Sequence, residues 1–131
     1  MSLAEELRKI IKGDVLNDEK TLSEMSRDAS LFVVKPSVVV YPKDLDDLKK
    51  LVKFVSENKK SRKNLSLSAR SAGTDMTGGS LTESIVVNFT KYFTNFSMAD
   101  SNTAVIEPGL YFRDFERFQG EPLNDLHSPY K

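Results

Sequence analysis

With 131 residues, the chain has room for one compact domain with a core of its own and too little for two substantial ones. Its 29% charged and 39% hydrophobic residues are ordinary for a globular protein, and 19 basic residues offset 19 acidic ones, which excludes nucleic-acid binding by bulk charge. Cysteine is absent, which excludes disulfides, thiolate metal sites and a cysteine nucleophile.

No apolar run approaches the roughly 18 residues that span a bilayer. The N-terminus also lacks the apolar core of a signal peptide, so the expected location is the cytoplasm. Met1-Ser2-Leu3 are of a kind that expression vectors add and are given no structural weight. From Leu3 to Lys12, Leu3, Leu7, Ile10 and Ile11 recur at helical spacing and Gly13 is a natural stop. Asn17 or Asp18 can cap a second short helical turn carrying Leu22 and Met25, which Arg27, Asp28 and Ser30 interrupt.

Ser37-Val38-Val39-Val40-Tyr41 is β-branched and aromatic without polar alternation, the pattern of a strand buried on both faces, and Pro42 ends it. Asp44 then serves as an N-cap, Asp46 and Asp47 sit near the positive helix end, and Leu45, Leu48, Leu51, Val52 and Val55 form one stripe of a helix reaching Asn58. Lys59, Lys60, Arg62 and Lys63 follow as a solvated basic helix terminus. A second strand over Leu65 to Ala69 completes a right-handed βαβ unit with parallel strands. Ile85 to Phe89 is a third strand. Thr94 to Met98 and Thr103 to Glu107 form a hairpin, Pro108-Gly109 turns the chain, and a short helix covers Tyr111 to Phe118. The expected class is α+β with an α/β-type N-terminal part: a small mixed sheet containing a βαβ unit and flanked by helices.

Between the second and third strands lies Ser68-Ala69-Arg70-Ser71-Ala72-Gly73-Thr74-Asp75-Met76-Thr77-Gly78-Gly79-Ser80. Small residues let backbone amides approach a ligand, and successive amides in a turn form a nest for anionic oxygens. Arg70 and the hydroxyls of Ser71, Thr74 and Thr77 are further donors. The same composition also suits a plain polar connection. Its position after a strand of a βαβ unit, where open α/β sheets place ligands, favours the phosphate site. Neither standard phosphate fingerprint fits, because Gly78-Gly79 is followed by Ser80-Leu81 and a strand, without a lysine or a helix. A broad nest of amides suits a pyrophosphate.

Five segments in this order resemble flavoprotein oxidoreductases with the vanillyl-alcohol-oxidase or PCMH-type FAD-binding domain, especially the D-lactate dehydrogenase and glycolate-oxidase-subunit branch. They are Arg27-Asp28-Ala29-Ser30, Val38-Val39-Val40-Tyr41-Pro42, Ala69-Arg70-Ser71-Ala72-Gly73-Thr74 with Thr77-Gly78-Gly79, Ile85-Val86-Val87-Asn88, and Ala104-Val105-Ile106-Glu107-Pro108-Gly109. The resemblance implies that Arg70 to Ser80 wraps an FAD pyrophosphate, mainly through amides. The implied cofactor residues are Pro42, Ala69, Arg70, Ser71, Ala72, Gly73, Thr74, Asp75, Thr77, Gly78, Gly79, Pro108 and Gly109, the last two in a structural turn lining the same cleft. Covalent members commonly carry a histidine where Thr74 stands, so the implied flavin is noncovalent. Two departures weaken the cradle: Ser71-Ala72 replaces a Gly-Gly pair, and Asp75 adds negative charge.

Family flavin domains run well past Glu107-Pro108-Gly109 into a second glycine-rich segment and a substrate domain. The implied reading is a single truncated FAD-binding domain, with N-terminal helices over 3–30, the βαβ unit and phosphate loop over 37–80, strands and a helix over 84–118 and an irregular tail over 119–131. In complete form it would oxidise a 2-hydroxy acid such as D-lactate or glycolate; alone it would not be catalytic. The alternatives are a noncatalytic α/β binding or assembly module without flavin, and a binder of another nucleotide phosphate. Tyr92, Phe93, Phe96, Tyr111, Phe112, Phe115 and Phe118 are expected to pack in the core. Those that the missing half would cover favour a dimer or larger assembly. His127, the sole histidine, reads as a surface residue.

Overall fold

The computed structural model describes residues 1–119. Helix α1 (Leu3–Ile10) starts with a capping box: the Glu5 amide donates to the Ser2 hydroxyl at 3.3 Å, and the Ser2 amide to the Glu5 carboxylate at 2.7 Å. Ser2 therefore has structural weight, contrary to the expectation for the first three residues. The helix stops before Lys12 because Lys12 and Gly13 turn their amides onto Asp47. Strand β1 (Asp14–Leu16) was not expected; three residues with only Val15 buried are too few to display a period. Helix α2 (Glu19–Met25) is capped by Asp18, whose carboxylate accepts from the Thr21 amide at 3.0 Å.

Strand β2 (Val38–Tyr41) leads to α3 (Leu45–Asn58), with Asp44 as its N-cap. Leu48, Leu51, Phe54 and Val55 face the core, whereas Leu45 and Val52 are 60% and 59% exposed, so Phe54 takes the place expected of Val52. Strands β3 (Leu67–Arg70) and β4 (Ile85–Asn88) follow, then the hairpin β5 (Phe96–Met98) and β6 (Ala104–Ile106), and α4 (Phe112–Gln119). Leu65, expected to open β3, is buried but sits in the preceding turn, its amide bonded to the Arg62 carbonyl.

The main sheet has the order β1-β2-β4-β3; β1 is antiparallel to β2, and β2 and β3 are each parallel to β4. β2, α3 and β3 thus form the expected βαβ unit with parallel strands, and β4 lies between the two strands. Composition explains the order. Ile85-Val86-Val87-Asn88 is buried at every position and suits the centre, while Leu67-Ser68-Ala69-Arg70 carries polar and small residues that suit an edge. Both faces of the centre are covered, as the valine run predicts. Val38, Val40, Ile85 and Val87 pack with Leu7 and Leu51 on one face, and Val39 and Val86 with Leu22 on the other.

Beyond the sheet, Phe96 and Phe115 meet edge to face at 5.2 Å, joining the hairpin to α4. The aromatic residues divide: Phe115 is buried, Tyr92, Phe93 and Phe96 are half-buried, and Tyr111 and Phe112 are exposed. The Phe118 side chain, the 120–131 part of the tail and His127 lie outside the described residues. No helix among the described residues is long and apolar enough to cross a membrane.

Candidate functional site

Tyr41, Asn88 and Arg70 end three parallel strands side by side, and the segment 71–84 leaves from the last of them. Its second part runs back along β3. The Ser68 hydroxyl donates to the Ser80 carbonyl at 2.7 Å, the Ser66 and Thr82 hydroxyls lie 3.4 Å apart, and the Ser66 amide donates to the Ser84 hydroxyl at 2.9 Å. These bonds shield an edge strand that would otherwise invite pairing.

The loop itself divides into two halves. In Asp75–Gly79 the Thr77 amide and hydroxyl both donate to Asp75 Oδ1 at 2.7 Å. The Thr77 hydroxyl, its amide and that of Gly79 hold the Asp75 carboxyl below the usual carboxylate range. The Ala29 amide donates to the Asp75 carbonyl at 3.0 Å, and the Phe32 ring lies against Gly78, which has φ +79°. The Arg27-Asp28-Ala29-Ser30 segment thus pins the loop from above. Asp28 Oδ1 accepts from the Ser30 amide at 2.8 Å, while Oδ2 is buried with no partner among the described residues.

Ser71–Thr74 is the open half. Among the described residues, neither the amides nor the side chains of Ser71, Ala72, Gly73 and Thr74 make a hydrogen bond. Gly73 has φ +71°, and the Arg70 guanidinium fills the space beside it, 2.3 Å from where a Cβ would stand. The same guanidinium points at the Met25 carbonyl at 3.5 Å. Arg70 is a brace under the turn. A Gly73→Ala change forces a left-handed alanine and displaces that brace, so stability should fall by about 1–2 kcal/mol. Urea unfolding reads this directly; an unchanged midpoint would show that the turn relaxes freely.

Of the remaining expected residues, Ala69 is exposed on β3, and Pro42 is buried beneath the Lys12-Gly13 turn. Pro108 is exposed, whereas Gly109 is buried and donates its amide to the Phe93 carbonyl at 2.8 Å. Glu107 ties the hairpin base, accepting from the Asn95 amide at 2.8 Å and side chain at 3.0 Å. The loop faces the segment that follows the Pro108-Gly109 turn, whereas Gly109 itself lines an adjoining cavity. A cavity of about 810 Å³ is lined by Ala72 and Thr74 on one side and by Leu110, Tyr111, Phe112 and Arg113 on the other. An adjoining cavity of about 530 Å³ reaches Thr90, Thr94 and Gly109. A third cavity, about 650 Å³ and lined by Ser37, Arg62 and Lys63, lies at the amino ends of the strands, the end where open α/β sheets do not place ligands. Sequence reasoning missed Phe32, Tyr111 and Arg113; the only available signal was that Tyr111 and Arg113 closely follow the Pro108-Gly109 turn.

An extended anion such as a pyrophosphate fits the open half. It meets small side chains, unpaired amides, two hydroxyls and a glycine turn with no Cβ in the way. Asp75 does not oppose it directly, since its carboxylate is turned onto Thr77 and Gly79. Among the described residues, no group of three or more acidic or histidine side chains is placed to hold a metal ion.

The comparisons with known proteins agree with this geometry. D-2-hydroxyglutarate dehydrogenase of Pseudomonas putida is 29% identical over 84 residues, 64% of this chain and 8% of that protein. Alkyldihydroxyacetonephosphate synthase shares the fold with a TM-score of 0.72 at 15% identity, over 88% of this chain and 24% of that one. p-Cresol methylhydroxylase with substrate bound gives 0.69 at 18% identity over 91% and 24%. 6-Hydroxy-D-nicotine oxidase from Arthrobacter nicotinovorans gives 0.67 at 18% identity over 84% and 24%. The chain thus spans only a small part of each of these proteins. The profile of the FAD binding domain family matches residues 36–121, from just before β2 to just beyond α4 and including the loop and the cleft, and the chain belongs to that family.

Proposed function

We propose that this chain is the cofactor-binding portion of a flavin-dependent oxidoreductase that acts on a 2-hydroxy acid such as D-lactate or glycolate, and that it is not catalytic alone. The observation that carries the reading is the run of unpaired amides from Ser71 to Thr74, at the carboxyl end of β3 in a chain of the FAD binding domain family. FAD, when bound, supplies an acceptor for a hydride equivalent. The chain's own residues bind and orient: the amides and hydroxyls of Ser71–Thr74 hold the pyrophosphate, and Arg70 and Asp75–Gly79 support that turn. Gly109 lines the adjoining cavity, while Pro42, buried beneath the Lys12-Gly13 turn, supports the strand end from below.

The 2-hydroxy acid is supported by the name of the Pseudomonas putida relative, and the noncovalent mode by Thr74 standing where covalent members carry histidine. Val105, Ile106 and Phe112 are 61%, 43% and 66% exposed, an apolar surface suited to contact with the remainder of a flavin domain or a second copy. Titration of the chain with FAD should quench flavin fluorescence saturably, and acid precipitation should leave all flavin in the supernatant. Absence of quenching would favour a flavin-free module; flavin retained in the pellet would overturn the noncovalent mode.

A further inference from the structure

On the loop wall Arg70 makes no ion pair among the described residues, but its guanidinium is lodged under the turn against Gly73 and directed at the Met25 carbonyl. A pyrophosphate carries about two negative charges, and amides alone leave much of that charge uncompensated. The opposite wall carries Arg113 and Arg117 beside Asp114 and Glu116. Arg117 lies 3.8 Å from Asp114, whereas Arg113 is exposed and has no ion-pair partner among the described residues. Arg113 and Thr74 line the same cavity.

We propose that Arg113, in the first turn of α4, reaches across the cleft to the pyrophosphate held by Ser71–Thr74 and is the charged ligand that Arg70 is not. This rests on the FAD reading above. A guanidinium suits the task, since its planar fork engages two phosphate oxygens at once. The loop then fixes the position of the pyrophosphate, while α4 contributes charge. Because the contact is to phosphate alone, it serves any ligand with that group, and FAD, ADP and inorganic pyrophosphate should share it.

The test is equilibrium binding of FAD, with ADP and inorganic pyrophosphate as competitors, to the full chain and to Arg113→Gln, Arg113→Lys and Lys63→Gln. Lys63, at the amino ends of the strands, controls for overall charge. Loss of one charge-assisted, bidentate contact should weaken FAD about tenfold to a hundredfold in Arg113→Gln. ADP should weaken by a similar factor. Arg113→Lys should recover part of the affinity, and Lys63→Gln should match the parent chain. Thermal unfolding of ligand-free Arg113→Gln should coincide with that of the parent, separating binding from folding. Arg113→Gln that binds FAD like the parent, or no more weakly than Lys63→Gln, overturns the role of Arg113 and leaves the FAD reading standing. A parent chain that binds no FAD overturns both.

Discussion

Asp47→Asn should destabilise the protein by about 3–5 kcal/mol, the range expected when a buried carboxylate loses several amide partners. Asp47 is fully buried at the start of α3. Its Oδ1 accepts from the Lys12 amide, and its Oδ2 from the Gly13 and Lys43 amides, each at 2.9 Å. An asparagine keeps one acceptor but turns an NH₂ group toward amide donors at the other. The change therefore replaces attraction with donor-to-donor contact at the point where α1, β2 and α3 converge. Asp44 already caps the helix, accepting from the Asp47 amide at 3.0 Å, so the loss is not that of an N-cap, which is worth about 1 kcal/mol. Gly13 cannot move away, because its Cα lies so close to the Tyr41 carbonyl that a Cβ would stand 2.0 Å from that oxygen. Urea unfolding should show a lower midpoint with an unchanged slope. A loss below about 1 kcal/mol would show that water replaces the carboxylate.

Gly109→Ala should cost about 2–3 kcal/mol, the upper part of the range for inserting a methyl group into a packed site. A Cβ there would stand 2.0 Å from the Phe89 carbonyl oxygen and 2.6 Å from that of Phe93. Both are backbone atoms, and the segment is anchored: the Phe89 amide donates to the Arg70 carbonyl at 3.0 Å, and the two phenyl rings meet edge to face at 5.4 Å. The requirement is for space, since Gly109 is not among the positive-φ glycines. Relief demands that the turn lift off, breaking the 2.8 Å bond from the Gly109 amide to Phe93 and shifting α4 from the loop. FAD affinity should fall together with the unfolding midpoint. A variant with the parental midpoint would show that the turn yields without cost.

The elements that bury a continuous run could be read directly from the residues. Val38–Tyr41 and Ile85–Asn88 are strands because their β-branched runs must be buried on both faces, and α3 follows from Asp44 and its stripe. Strand order could not be read in this way. Which strand takes the centre depends on competition between two segments for burial, and the four residues of β3 look equally strand-like until β4 claims the position. The site was legible as a loop but not as two halves, because the Asp75 carboxylate could have faced a ligand and instead faces Thr77. Arg70 was read as an anion donor by its type, and only packing against Gly73 shows where its charge goes. Asp47 was read through the helix dipole, although its partners come from residues more than thirty positions earlier as well as from Lys43.

The central position of β4 also constrains the order of assembly. When β2, α3 and β3 have formed, the slot between the two strands is still empty: β2 has only β1 on its other side, and β3 has no strand partner. Only Ile85–Asn88 can fill it, and this segment arrives after the whole 71–84 connection has been made. Closing that connection carries an entropic cost, offset in part by the bonds of Ser68 to Ser80 and of Ala29 to Asp75. The strand that fills the slot also fixes the far end of the 71–84 connection, so the centre of the sheet and the cradle depend on the same four residues.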